Sequence, residues 1–267
     1  MDNFFTGLGL GIVPWYVIVI AAVCAYFLGN VNPAILIGRA RGVDIRAQGS
    51  GNAGTTNALR SLGKKAGALT FVIDVIKGWA GYYVPLLICM GVALNNEGLS
   101  FRTVLPLLSE PTAFVAWNAA VYAPAMLCGL CVVLGHMYPA AFGFRGGKGV
   151  ATAFGVLLGV SWAYALILLA VVVVFTAIFR RVSLSVLIAV AVALAIVFYG
   201  YAQTDTGFFH IYNTGFMIFS TYMPLWIIIL LALVVWKHRG NIKRLIKGEE
   251  PKLSFGSDKG KVKGDEK

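Results

Sequence analysis

The chain has 267 residues, of which 59% are hydrophobic and only 12% charged, with a mean hydropathy of +0.81. Soluble domains carry about 25% charged residues, so this composition excludes an ordinary water-soluble globule and makes lipid the solvent for most of the chain. The formal net charge of +11 does not point to nucleic acid, because the basic residues lie between apolar runs and at the C-terminus, where they set membrane topology.

Roughly twenty helical residues cross about 30 Å of hydrocarbon, and only helices or closed barrels satisfy the backbone there. Runs rich in Ala, Val, Ile and Leu predict helical spans near residues 13–37, 66–91, 113–134, 150–160, 161–179, 183–202 and 216–236. The first run has no basic residue before it, as a signal peptide would, and reads as a retained span. The fourth is too short to cross unaided, and is read as a broken helix turning near Gly155, Gly159 and Ser161.

Charge supports that break. With seven spans, twenty of the 22 Lys and Arg fall on one side. Six are in the first loop (Arg39, Arg41, Arg46, Arg60, Lys64, Lys65), Arg145 and Lys148 are in the third, Arg180 and Arg181 follow, and ten lie from Lys237 onward. Cationic loops are retained in the cytoplasm, which puts the N-terminus outside and the C-terminus inside. The expected fold class is an all-α polytopic integral membrane protein: seven transmembrane helices with a short fourth span over 1–251, then a basic disordered cytoplasmic tail over 252–267. Residues 92–112 and 203–215 read as connecting loops. Cys24, Cys89, Cys128 and Cys131 all fall in apolar runs, and neither a disulfide nor a zinc site is inferred.

Three polar stretches carry the chemistry. The first, Gly49 to Arg60, combines glycines that admit an anion to backbone N–H groups with hydroxyls, amides and a guanidinium. A plain polar turn is the bland alternative. Gly49, Gly51 and Gly54 satisfy a dinucleotide fingerprint, but no strand precedes them and Asp74, at the expected acidic spacing, lies in a predicted membrane helix. The second stretch runs from Gly135-His136 to Thr152, where glycines lead through Lys148 into a helix N-terminus, a natural anion site. It is not a Walker A loop, because Phe142 stands where Gly is required and Gly149 where Ser or Thr is. His136 reads as a base or, preferably, as a loop-orienting residue. In the third stretch, Lys237 to Glu250, His238, Asn241 and Arg244 share a face of a helix continuing from the last span. A positive-inside anchor explains Lys243 and Lys247 but not His238, Asn241 or Glu250. Inside the membrane, Asp74 and Lys77 are three apart on one helix; an unpaired charge there costs about 3 kcal/mol or more, so they are read as a structural ion pair.

Together these stretches resemble the bacterial acyl phosphate:glycerol-3-phosphate acyltransferase family, the PlsY type. The matching motifs are SGNxGTTNxxR at Ser50 to Arg60, GHxxP with FRGGKGVAT at Gly135 to Thr152, and HxxNIxRLxxGxE at His238 to Glu250. The similarity extends over about residues 20 to 250. It implies an enzyme of the bacterial cytoplasmic (inner) membrane, with its active site on the cytoplasmic face. The implied reaction moves a fatty acyl group from acyl phosphate to the 1-hydroxyl of glycerol 3-phosphate, giving lysophosphatidate and phosphate, the first acylation of phospholipid synthesis. By motif, Ser50, Arg60, Lys148, His238 and Asn241 are the implied catalytic residues. Substrate binding is implied for Gly51, Asn52, Gly54, Thr56, Asn57, Gly146, Gly147, Gly149, Ser183, Arg244 and Glu250. Acyl phosphate, glycerol 3-phosphate and membrane lipid are the expected partners, with no cofactor and no metal.

None of His136, His210 and His238 has an acid five residues on, as the other major class of glycerol-phosphate acyltransferases has in HxxxxD. Two routes for the hydroxyl proton stay open: a phosphate oxygen of the donor, or His238 as general base. The sequence departs from the family at Gly29-Asn30-Val31-Asn32-Pro33, where a Gly-Ser-x-Pro turn is usual. An anion transporter is the rival from another class, and would need an intramembrane polar pathway; a lipid-binding scaffold would leave the three motifs unexplained.

Overall fold

A computed structural model describes residues 13–96, 98, 100, 118–202 and 223–253, and every regular element among them is helical. The helices are α1 (Trp15–Asn30), α2 (Pro33–Ala40), α3 (Thr55–Leu62), α4 (Lys64–Asn96), α5 (Ala123–Met137), α6 (Val150–Val160), α7 (Trp162–Phe179), α8 (Val182–Ala202), α9 (Met223–Lys237) and α10 (Arg239–Ile246). Five are long and apolar enough to cross a membrane, counting α1 with α2 as one, and the bent pair α9–α10 makes a sixth. Their outer faces carry exposed Val19, Ile20, Ile76, Val174 and Ile178, apolar surface that only lipid tolerates in this amount.

Helices lie along the predicted spans with shifted ends, but α6 is too short to be one of the five or six that can cross. The helix α4 runs to Asn96, so the loop expected from residue 92 begins later. The rest of that loop apart from residues 98 and 100, the start of the third span at 113–117, residues 203–215, the start of the span at 216 and the tail from residue 254 lie outside the described residues. The first span breaks at Val31, and the unusual Asn32 explains how. Its Oδ1 accepts from the Ile35 N–H at 3.1 Å, capping α2, while Pro33 fits the first helical position, where a missing N–H costs nothing.

The fourth segment also breaks, but not at its glycines. Ser161 alone is extended (φ −157°, ψ 107°), and its hydroxyl accepts from the Tyr164 N–H to start α7. Gly155 and Gly159 stay helical, against the expectation that the chain turns there. Their function is close packing: a Cβ at Gly155 would fall 2.1 Å from the Val75 carbonyl oxygen, and one at Gly159 would fall 2.7 Å from the Tyr82 ring. Gly78 makes the reciprocal approach from α4 to Thr152 of α6. Gly29 and Gly135 join α1 to α5 in the same way. Small residues at such crossings let backbones touch in a solvent that gives no hydrophobic drive for helix association. At 11 residues α6 is about 16 Å long, half a bilayer core.

Candidate active site

The loop before α3 is held by one side chain. Asn57, 1% exposed, accepts from the Ser50 N–H at 2.9 Å through Oδ1 and donates through Nδ2 to the carbonyls of Ile45 and Gln48. Asn57, expected as a substrate ligand, thus has its amide engaged in folding the loop. Gly49 takes φ +55°, and a Cβ there would strike Asn57 Oδ1 at 2.4 Å, so this turn requires glycine. The loop is tied to its neighbours by Asn32 Nδ2, which donates to the Ala53 carbonyl, and by Arg46, which pairs with Asp44 and donates to the Phe142 carbonyl.

The second stretch folds back on the end of α5: the Gly146 N–H donates to the Met137 carbonyl and the Gly147 N–H to the His136 carbonyl. Gly149, at φ +79°, then starts α6. Neither α3, which follows Gly54, nor α6, which follows Gly149, has a side-chain cap. Two helix N-termini therefore present N–H groups without intrahelical partners, and both border one cavity.

Contrary to the expectation that the third stretch continues the last span as one helix, α10 leaves α9 at 57°, with His238 at the elbow. Lys237 fastens this elbow to the second stretch, donating to the Met137 carbonyl at 3.0 Å and lying over the Tyr138 ring. The bend still turns His238, Asn241 and Arg244 to the same cavity. His238, 2% exposed, donates from Nδ1 to the Val234 carbonyl at 2.8 Å, which leaves Nε2 as an acceptor. Burial pushes its pKa down to about 4, with the Val234 hydrogen bond opposing and the Lys148 charge reinforcing the shift.

Glu250 gathers three side chains from two helices. Its Oε1 accepts from the Ser183 hydroxyl and from Asn241 Nδ2 at 2.7 Å, and its Oε2 accepts from Arg244 Nε at 2.9 Å. Burial alone would raise its pKa, but those three donors together hold the carboxyl below its usual value, so it stays ionised. Beyond it, Arg181 donates to the Glu250 carbonyl and the Leu253 N–H to the Arg180 carbonyl, strapping residues 250–253 against the start of α8. Arg60 Nη2 lies 3.4 Å from the carbonyls of Pro251 and Lys252.

These segments enclose a cavity of about 410 Å³. Of the residues implied by the motifs, Ser50, Asn52, Gly54, Thr56, Asn57, Arg60, Lys148, Gly149, Ser183, His238, Asn241, Arg244 and Glu250 line it. Gly51, Gly146 and Gly147 do not; the last two pack on His136, where a Cβ on either would collide with its carbonyl oxygen or its ring. Sequence reasoning missed several contributions. Thr55 lines the cavity with a buried hydroxyl that has no hydrogen-bond partner among the described residues, and Phe71, Val172 and Val186 supply an apolar wall. Burial pushes the Lys148 pKa down to about 8; Glu250 opposes the shift, while Arg244 and Arg60 reinforce it. The cavity is thus a cationic, donor-rich pocket with an apolar side, suited to an anion that carries a hydrocarbon chain.

Comparison with known proteins agrees with this chemistry. The sequence profile of a family described as glycerol-3-phosphate acyltransferase matches residues 19–248. A protein of Clostridioides difficile (strain 630) named glycerol-3-phosphate acyltransferase is 37% identical over 236 residues, covering 88% of this chain and 95% of its own. One of the same name from Thioalkalivibrio sulfidiphilus (strain HL-EbGR7) is 38% identical over 230 residues, covering 86% of this chain and 90% of its own. Among solved structures, PlsY (YgiH), an integral membrane glycerol 3-phosphate acyltransferase, aligns in its glycerol 3-phosphate form with a TM-score of 0.65 at 32% identity, covering 89% of this chain and 96% of that one. Its lysophosphatidic acid form aligns with a TM-score of 0.62 over 89% and 95%. With matched residues that take in all three polar stretches but the last two positions, the chain belongs to the glycerol-3-phosphate acyltransferase family.

Proposed function

We propose that this chain acylates the 1-hydroxyl of glycerol 3-phosphate from acyl phosphate, releasing lysophosphatidate and inorganic phosphate on the cytoplasmic face of a bacterial inner membrane. The observation that carries this reading is the convergence of Arg60, Lys148 and His238, from three distant stretches, on one cavity with an apolar wall. Both proposed substrates are phosphate anions, and the donor also carries an alkyl chain. The short α6 counts as the fourth of seven spans, which keeps every basic loop on the cytoplasmic side.

In this reading the hydroxyl oxygen attacks the acyl carbonyl carbon, the bond from that carbon to the bridging phosphate oxygen breaks, and phosphate leaves. The hydroxyl proton passes to a phosphate oxygen of the departing group. Lys148, Arg60 and the two open helix N-termini hold the phosphates and stabilise the charge that develops on the carbonyl oxygen. His238, neutral and with Nε2 free to accept, orients the attacking hydroxyl, because burial disfavours its protonated form. Ser50, Asn52 and Thr56 supply neutral donors, and Glu250 sets the positions of Ser183, Asn241 and Arg244. The assay is direct: purified protein with acyl phosphate and labelled glycerol 3-phosphate yields labelled lysophosphatidate and one phosphate per turnover. Turnover with acyl-CoA alone would overturn the donor, and phosphate flux without acylation would favour a transporter.

A further inference from the structure

Beside the residues given roles above, three buried polar side chains meet, Asp74 and Lys77 of α4 and His136 at the end of α5, each no more than 3% exposed, and Asp74 and His136 border the cavity. Lys77 Nζ lies 2.8 Å from Asp74 Oδ1 and 2.9 Å from His136 Nδ1, and donates to the carbonyls of Gly29 and Val31 at 3.2 and 2.6 Å. Asp74 Oδ1 is farther from Nδ1, at 3.3 Å. An ammonium group only donates, so the Nδ1 facing it presents a lone pair, and the neutral ring carries its proton on Nε2.

Two further observations bear on what Nε2 meets. His136 borders the cavity that holds Lys148 and Gly149. A Cβ at Gly147 would fall 2.1 Å from Nε2, so only glycine fits beside this ring edge. Among the described residues no acceptor bonds Nε2. A buried N–H without a protein acceptor, beside a cationic cavity, is matched by an anionic oxygen.

We propose that His136 is a further substrate-contacting residue, its Nε2–H donating to a phosphate oxygen of a bound phosphorylated substrate, with Lys77 fixing the donor tautomer. This rests on the acyltransferase reading above. His136 holds its proton throughout and transfers none.

Two substitutions separate this function from a structural one. His136→Asn retains an acceptor where Nδ1 meets Lys77 but has no donor at Nε2; His136→Gln places an amide N–H near Nε2 and loses the acceptor. The expected result is a KM for one phosphorylated substrate raised about tenfold to a hundredfold in His136→Asn and largely restored in His136→Gln. Whether the rise is in acyl phosphate or in glycerol 3-phosphate identifies whose phosphate is held. Wild-type KM values for both substrates in His136→Asn, or rescue by Asn rather than Gln, would overturn the proposal. On the wild-type protein, histidine 15N NMR should read the Nε2–H tautomer and an Nε2 shift on titration with inorganic phosphate; the Nδ1–H tautomer would refute it. That titration needs no turnover, so a failed acylation assay would sink the acyltransferase reading without deciding this one.

Discussion

The Ser183 hydroxyl donates to Oε1 of Glu250, 67 residues further along the chain. The same oxygen accepts from Asn241, so one carboxylate fixes the start of α8 against α10. Glu250→Gln keeps an acceptor for Ser183 and Asn241 but turns an amide N–H toward Arg244. Breaking a buried, hydrogen-bonded charge in this way should destabilise the protein by about 1–3 kcal/mol and cut kcat/KM by tenfold or more, read by thermal unfolding in detergent and by acylation rate.

Glu250 also predicts an acid limit to stability. Its carboxyl is held below the ordinary 4.5, so its contribution is complete above about pH 4.5 and is lost as the pH falls through the depressed folded value. Unfolding temperature measured from pH 7 down to pH 3 should decline at the low end in the wild type, and decline less in Glu250→Gln.

Lys148 sets the alkaline limb of the rate. Its pKa of about 8 in the free enzyme means that kcat/KM should fall as the pH rises through 8, since the deprotonated amine no longer attracts phosphate. Bound phosphate favours the ammonium form, so the limb in kcat should lie at higher pH than the limb in kcat/KM. Lys148→Ala should lose about a hundredfold or more in kcat/KM.

His238 separates the two proton routes. If it only orients the hydroxyl, His238→Gln, which can still accept a hydrogen bond, should retain turnover reduced about tenfold to a hundredfold. No acid limb near the ordinary imidazole value should appear in the wild-type profile. Near-total loss of the chemical step with binding retained would make His238 the base.

The glycine approach between α4 and α6 is a packing prediction. Gly155→Ala places a methyl group 2.1 Å from the Val75 carbonyl oxygen, which no rotamer change relieves. The helices must separate, at a cost of about 1–3 kcal/mol, and Lys148 moves with α6. Reduced thermal stability together with a raised KM checks this.

The helices and the three motifs were legible because membrane spans are written in long apolar runs, and the phosphate chemistry in short stretches of glycine, amide and guanidinium. What escaped was geometry set by distant partners. The motif names Asn57, but not that its amide donates to the carbonyls of Ile45 and Gln48 and so holds the loop. Gly155 looks like a hinge, but the backbone of α4 passes over it. The elbow at His238 carries no proline, and Lys237 anchors it to Met137, 100 residues away. The pair Asp74 and Lys77 was readable from its spacing; its contact with His136 joins two helices and was not.

The central claim is spatial: segments around Arg60, Lys148 and His238 form a single receptacle for phosphate. A structure determined with glycerol 3-phosphate bound tests it most directly. The phosphate should lie in the 410 Å³ cavity within hydrogen-bonding distance of side chains from at least two of the three stretches. Density for the phosphate outside that cavity, or touching one stretch alone, would contradict the account.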